Sequence, residues 1–167
     1  MKKLGMMLIA ALAVCAIACG SKSNITVPGD PTGDVDKDAK VLADYLTVVV
    51  PLINDVTNEL TVYMEKYQDD AEFEVEKATL VQKLEKDTNL DCHDLAVPAD
   101  PTGDAKKDAE TFANATIKLE KLTAEFSTTL GKYMEYYGAK SEAESDKFAD
   151  AVDKQLPENV KKILNGE

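Results

Sequence analysis

The strongest constraint on the fold is an internal duplication with an offset of 70 residues. Residues 27–67 and 97–137 align without a gap and share 17 identities in 41 positions. The shared positions include the turn sequence Asp-Pro-Thr-Gly-Asp near the start of each copy and Tyr-Met-Glu near its end. Duplicated segments of this similarity adopt one fold, so a prediction for one copy applies to the other. The copies extend over about 27–96 and 97–167.

Apolar residues in both copies recur alternately four and three positions apart, which is the spacing of a seam between packed helices. In the first copy this stripe comprises Val35, Ala39, Leu42, Leu46, Val49, Ile53, Val56, Leu60, Tyr63 and Tyr67. In the second copy it comprises Ala105, Ala109, Phe112, Thr116, Leu119, Thr123, Phe126, Leu130, Tyr133 and Tyr137. The two threonines predict looser packing in the second helix.

Two local features conflict with a long first helix. Residues 45–50 (Tyr-Leu-Thr-Val-Val-Val) have strand propensity, but their partners at 115–120 are typical of a helix, so we predict helix for both. Pro51 lies inside the first long helix and predicts a kink there. A shorter helix follows each long one, over about 70–87 and after Ser141. The predicted fold is an all-α four-helix bundle built from two duplicated helical hairpins.

The N-terminus has the composition of an export signal. Lys2 and Lys3 precede an uncharged stretch, residues 4–18, that is shorter than the roughly 20 residues a membrane-spanning helix needs. The stretch ends in Ala16-Ile17-Ala18-Cys19. This segment resembles the signal of bacterial lipoproteins. The resemblance implies that the chain is cut before Cys19, whose thiol receives a diacylglycerol thioether and whose new amine is acylated, for example by palmitate.

The resemblance also implies a domain order and a location. Residues 1–18 would be the signal peptide, 19–33 a lipidated N-terminus and flexible tether, and 34–167 the duplicated bundle. In enterobacterial lipoproteins, Asp after the lipidated cysteine retains the protein at the inner membrane, whereas Gly20 stands here. We therefore expect a lipid-anchored protein of the cell envelope, at the outer membrane where the cell has one.

Composition argues against several classes of function. The net charge is −12, or −14 once Lys2 and Lys3 are removed (−12 minus 2), which disfavours a nucleic-acid partner. Every basic residue is lysine, so bidentate recognition of phosphate by arginine is excluded. Cys92 and the single histidine, His93, are too few for a closed zinc site, and we expect them to be structural or incidental. No catalytic motif is present, so we expect no enzymatic activity and no cofactor.

Two groups of residues are candidates for binding. Tyrosines concentrate near the ends of the long helices, and if these helices run parallel the tyrosines form one cluster that contacts a ligand or partner, although packing alone would also place them on the seam. This group comprises Tyr63, Tyr67, Tyr133, Tyr136 and Tyr137. The aspartates of the repeated turns are weak calcium candidates, because the loop lacks the glycine and acidic residue that an EF-hand needs at positions 6 and 12. These are Asp30, Asp34, Asp100 and Asp104, of which Asp34 and Asp104 can also serve as helix N-caps.

The leading functional hypothesis is a membrane-anchored, non-enzymatic lipoprotein that acts as an interaction or structural module and contacts another envelope protein. The alternative is a lipoprotein that binds a small ligand or calcium through the tyrosine-rich helix ends or the Asp-Pro-Thr-Gly turns.

Overall fold

The computed structural model describes residues 25–166, and within this part of the chain all regular secondary structure is α-helical. The five helices are α1 (Val35–Lys66), α2 (Ala71–Leu84), α3 (Ala105–Gly138), α4 (Glu142–Gln155) and α5 (Glu158–Asn165). The prediction of an all-α helical bundle is confirmed. The predicted signal peptide and Cys19 lie outside the described residues.

The two long helices form where the alternating apolar stripe predicts them. In α1, nine of the ten stripe residues are buried, and only Ile53 is half-buried. The strand-prone residues 45–50 are helical throughout. Tyr45, Leu46, Val49 and Val50 are buried, which fits the core-facing side of a helix. Pro51 lies inside α1, and the helix continues through it. The kink itself stays a prediction.

Local capping sets the ends of the shorter helices. Asp70 caps α2 by accepting a hydrogen bond from the Phe73 N–H, and Ser141 caps α4 by accepting one from the Glu144 N–H. The last helix, α5, follows Pro157 and is capped by Gly166, whose φ of 75° is left-handed. These boundaries depend on nearby residues alone, which is why the sequence predicts them.

The described chain divides into two compact units. Unit 1 contains residues 25–54 and 124–166, and unit 2 contains residues 55–123. The units therefore do not coincide with the sequence copies, because each combines the beginning of one copy with the end of the other. Helices α1 and α3 each contribute residues to both units.

Within each unit the segments of α1 and α3 run antiparallel. In unit 1, Tyr137 donates a hydrogen bond to Asp38 and Phe126 stacks on Tyr45. Residue numbers therefore fall along α3 as they rise along α1. In unit 2, Tyr67 contacts Asp108 and Tyr63 contacts Phe112 in the same sense. The parallel arrangement considered from sequence is wrong. The tyrosines at the C-terminal end of each long helix contact the aspartate in the first turn of the other.

The range predicted for the flexible tether, residues 19–33, includes residues that contact the helical domain. Pro28 is buried, the Gly29 carbonyl accepts a hydrogen bond from Tyr133, and Asp30 pairs with Lys132 at 2.9 Å. Residues 28–33 thus belong to unit 1, although they have no regular secondary structure.

Candidate functional site: two aspartate–tyrosine clusters

The most distinctive polar feature of unit 1 is a buried carboxylate in the first turn of α1. Asp38 is only 2% exposed and accepts hydrogen bonds from the backbone N–H groups of Thr32 and Gly33, each at 2.9 Å. The Thr32 hydroxyl donates to it at 2.7 Å, and so does the Tyr137 hydroxyl, also at 2.7 Å. We call these four residues cluster 1. They join the turn before α1 to the end of α3.

The same arrangement recurs in unit 2 at the duplicated positions. Asp108 is 1% exposed and accepts hydrogen bonds from the Thr102 hydroxyl and the Gly103 N–H, both at 2.9 Å. The Tyr67 hydroxyl donates to it at 2.5 Å. These residues, cluster 2, join the turn before α3 to the end of α1. In both clusters an aspartate from one copy therefore pairs with a tyrosine from the other.

The hydrogen bonds determine which protonation states the clusters favour. Burial disfavours the charge on Asp108, but donors from Tyr67, Gly103 and Thr102 outweigh it and lower its pKa to about 2. For Asp38, burial is likewise outweighed by donors that include Tyr137 and Thr32, and its pKa is lowered. The matching tyrosines shift oppositely: burial and the aspartate raise the pKa of Tyr67 to about 12. The pKa of Tyr137 is raised by burial and by Asp38.

A second tyrosine in each unit fixes the chain just before the turn. The Tyr133 hydroxyl donates to the Gly29 carbonyl at 3.3 Å in unit 1, and the Tyr63 hydroxyl donates to the Ala99 carbonyl at 2.7 Å in unit 2. Both rings are 2% exposed. They supply donors to carbonyl groups that the turns leave without a helical partner.

Aromatic stacking supports the clusters from the side of the shorter helices. Phe73 of α2 stacks on Tyr67 with ring centroids 4.4 Å apart, and Phe148 of α4 stacks on Tyr137 at 4.2 Å. Phe73 and Phe148 are fully buried but occupy different positions in the two copies, since Phe73 corresponds to Ala143. The two copies therefore reach similar packing with different residues.

The five tyrosines predicted as one surface are divided between the units. Tyr63 and Tyr67 lie in unit 2, whereas Tyr133, Tyr136 and Tyr137 lie in unit 1. Four of them are buried, and Tyr136 alone is half-exposed. The single cluster is therefore corrected to two separate groups, and the seam interpretation fits the four buried rings.

The aspartates proposed for calcium lie at the surface of the turns. Asp34 and Asp104 act as helix N-caps by accepting from the N–H groups of Lys37 and Lys107, at 3.2 and 3.1 Å. Asp30 is paired with Lys132, and Asp100 is exposed. N–H groups of each turn point towards the buried Asp38 or Asp108, which is the geometry of an anion site already filled by a carboxylate. Calcium binding stays a prediction.

The remaining candidates lie apart from these clusters. Cys92 and His93 are half-buried in the loop before α3, where the His93 N–H donates to the Asp91 carboxylate. An open depression of about 690 Å³ in unit 1 is lined by residues of α4 and the start of α1, including Val35, Asp36 and Asp150. None of the five tyrosines lines it.

Sequence reasoning missed the central residues of both clusters. Asp38, Asp108, Thr32 and Thr102 are not among the binding residues predicted from sequence. A signal was present, because all four residues are identical between the copies at positions where a helix turn does not require them. What the sequence lacks is the partner, since Tyr137 is 99 residues away from Asp38.

The clusters are suited to holding helix ends rather than to acid–base or nucleophilic chemistry. Each carboxylate receives several donors in a buried position, which stabilises its charged form. A general base needs the opposite, a carboxylate with a pKa near the working pH that reaches a substrate proton.

No protein-family model matches the chain, and neither the curated proteins nor the solved structures contain a similar one. Among residues 25–166, no helix is both long enough and apolar enough to cross a membrane.

Proposed function

We propose that the protein is a bacterial envelope lipoprotein whose helical domain is held at a membrane by a lipidated Cys19. The observation that carries this proposal is the sequence Ala16-Ile17-Ala18-Cys19 after a basic start and a short apolar stretch. Pro28 and Gly29 already contact the helical domain, so only a short stretch of sequence separates that domain from the proposed anchor. An outer-membrane location is proposed on the basis of Gly20.

Lipidation is tested by expressing the full chain in a bacterial host with a clickable palmitate analogue. The wild-type chain should incorporate the label, and an inhibitor of lipoprotein signal peptidase should cause a larger precursor to accumulate. Cys19→Ala should abolish both effects. Cys15→Ala is the matched control and should leave both unchanged. A label that persists in Cys19→Ala, or is lost in Cys15→Ala, contradicts the assignment.

For the anchored domain we propose a non-enzymatic role as an interaction or structural module that contacts another envelope protein. The best support is the use of its buried polar groups: both buried carboxylates and four of the tyrosines are committed to contacts within the fold. Crosslinking in the native cell tests this role, with Cys19→Ala as the unanchored control. Capture of one envelope protein that depends on Cys19 is the expected result, and its absence argues against a partner.

The second candidate is a lipoprotein that binds calcium or a small ligand. The acidic turns and the open depression beside α4 favour it. Thermal unfolding with and without millimolar calcium separates the metal version from the first candidate. We expect no change in melting temperature, because the turn donors already hold Asp38 and Asp108. A rise that Asp34→Asn or Asp104→Asn removes would instead support the calcium site.

A further inference from the structure

The outward face of α2, in unit 2, is uncharged along its centre. Val75 is 69% exposed, the highest value among the large apolar side chains of the described residues. Ala71, Ala78 and Gln82 are also exposed. Together with Val75 they lie four, three and four positions apart, so all four residues share one side of the helix. We call these four residues the α2 face. The buried Phe73 lies on the opposite side of α2.

The corresponding face of α4 is acidic. Phe73 of α2 and Phe148 of α4 occupy equivalent positions, because each ring stacks on the cluster tyrosine of its own unit. Counted from these rings, three of the four positions of the α2 face correspond to exposed aspartates in α4. These are Asp146, Asp150 and Asp153. Two copies of this acidic chain that met through α4 would bring like charges together, and the α2 face avoids that repulsion.

One flank of the α2 face carries opposite charges at its two ends. Glu72 lies in the first turn and Lys83 in the last turn, and both are exposed. They are three helical turns apart, so they lie on the same side of α2. When two identical helices pack antiparallel about a two-fold axis, this flank of one helix lies beside the same flank of the other. Glu72 of each copy then lies beside Lys83 of the other.

The ion pair that Glu72 makes within the chain does not prevent this exchange. Its carboxylate lies 3.5 Å from the Lys106 ammonium, and both side chains are more than 60% exposed. Exposed ion pairs of this kind contribute little to stability, so Glu72 can change partner at small cost.

The charge pairing also sets the register of the two helices. With residue 72 beside residue 83, the two-fold axis passes next to Ala78, whose small side chain lets the helices approach closely. Val75 then lies near Gln82 of the second copy. Because α2 has 14 residues, it is about 21 Å long, and one helix pair of this length makes an interface of the small, transient class.

We propose that the α2 face is a self-association surface through which two copies of the chain pair antiparallel, with Glu72 of each copy beside Lys83 of the other. The partner is thus a second copy of this chain, held weakly. This inference goes beyond the proposed contact with another envelope protein, and it does not depend on the lipidation of Cys19.

The test traps the pair with a disulfide in the full-length protein as a bacterial host makes it, purified in a non-ionic detergent. Ala78→Cys places a thiol beside the proposed axis, and Ala143→Cys places the control thiol on an exposed position of α4. Both are made in a Cys92→Ser background, whose melting temperature is checked first. Diamide oxidises the thiols, and a non-reducing gel measures the yield of covalent dimer.

We expect Ala78→Cys to give at least about fivefold more covalent dimer than Ala143→Cys, because a disulfide needs Cα atoms within about 7 Å of each other. The Cys92→Ser background alone gives the yield from the other cysteines, which is subtracted. Adding Val75→Lys should lower the yield of Ala78→Cys at least about threefold, because it places a charge in the centre of the contact. Val62→Lys, at an exposed valine of α1, is the control and should leave the yield unchanged.

Charge reversals test the antiparallel register. Glu72→Lys and Lys83→Glu should each lower the yield about threefold or more, because symmetry makes each reversal replace two attractive pairs by two repulsive ones. The double variant Glu72→Lys/Lys83→Glu should restore the yield. Within one chain this double variant opposes the helix dipole at both ends of α2, so the recovery does not come from a more stable helix.

The outcomes decide the inference separately from the proposed function. Equal yields for Ala78→Cys and Ala143→Cys overturn it. A double reversal that traps no better than the single reversals also overturns it, and this is the result expected if the α2 face binds a different protein. The full pattern in a protein that carries no lipid supports the inference and removes only the proposed anchor.

Discussion

Asp38 and Asp108 are the two buried carboxylates among the described residues. A carboxylate that is 1–2% exposed loses its hydration, which is costly unless other donors replace the water. Here two turn residues and one tyrosine supply those donors in each unit. The tyrosines are therefore the residues whose loss leaves a buried charge insufficiently hydrogen-bonded.

Removing the tyrosine hydroxyls tests this assignment. Tyr67→Phe and Tyr137→Phe should each lower the free energy of unfolding by about 1–3 kcal/mol, because a buried charged acceptor loses one donor while the ring still packs. Tyr136→Phe is the control and should change it little. Urea denaturation of the chain from residue 20 onward measures all three. An equal loss in Tyr136→Phe would contradict a specific role for the aspartate contacts.

Cluster 2 also predicts how stability depends on pH. Asp108 has a folded pKa of about 2, below its ordinary 3.8, so its contribution is full above about pH 4 and declines as pH falls towards 2. Tyr67 has a folded pKa of about 12, above its ordinary 10.0, so its contribution is full below about pH 10 and declines as pH rises towards 12.

Urea midpoints measured across the pH range check this dependence. Asp108→Asn should flatten the acid limb, because the titrating carboxyl is gone, and Tyr67→Phe should flatten the alkaline limb. Limbs of unchanged slope in these variants would show that other groups control the response.

At the scale of elements, the stripe of α1 was easier to predict than that of α3. Helical spacing correctly identified the buried face of α1 over its whole length. In α3 five stripe residues are buried, namely Ala109, Phe112, Leu130, Tyr133 and Tyr137. Ala105, Thr116, Leu119 and Phe126 are half-exposed and Thr123 is exposed. Burial there moves to other positions, namely Ala113, Ala115, Ile117, Leu122 and Thr129. The repeat predicted that α3 is a helix, but the helices that pack against α3 determine which of its faces is buried.

The turns before α1 and α3 offer a test of the glycines in the duplicated sequence. Gly33 and Gly103 have φ values of 91° and 96°, so alanine at either should cost about 1–2 kcal/mol of unfolding free energy. Gly33→Ala should cost more, because its Cβ would meet the Tyr136 hydroxyl at 2.7 Å, whereas at Gly103 the nearest atom is the Lys66 ammonium at 3.7 Å.

A double-mutant cycle isolates the steric contribution. Tyr136→Phe should recover part of the loss in Gly33→Ala, since it removes the clashing oxygen, and it should not affect Gly103→Ala. Gly131→Ala is the helical control: it has open space and should stabilise the protein by about 0.5–1 kcal/mol. Strict additivity of Gly33→Ala and Tyr136→Phe would contradict the clash.

At the scale of the whole molecule, the two compact units cut across the two sequence copies. Each unit combines the start of one long helix with the end of the other, and both long helices have residues in each unit. Local unfolding of one unit would therefore unfold part of α1 and α3, which also contribute residues to the other unit.

This sharing predicts one cooperative unfolding transition. Far-ultraviolet circular dichroism and near-ultraviolet tyrosine signals should give the same urea midpoint, because the units share α1 and α3. Tyr67→Phe in unit 2 and Tyr137→Phe in unit 1 should each move that whole transition. Two separate transitions, each moved by only one variant, would show that the units unfold independently.

The sequence by itself determined the helices and most of their ends. Stripes of helical period, Asp70 and Ser141 as caps, and Gly166 as a stop act over a few residues, so they are visible without a tertiary structure. It also supplied the Cys19 signal, on which the proposed function depends. Only the tertiary structure decided that the helices pair antiparallel, that Asp38 and Asp108 are buried, and that the tyrosines divide into two groups. An apolar stripe does not indicate whether its helix packs parallel or antiparallel. Each buried carboxylate also needs a tyrosine donor that lies 41 residues away for Asp108 and 99 residues away for Asp38.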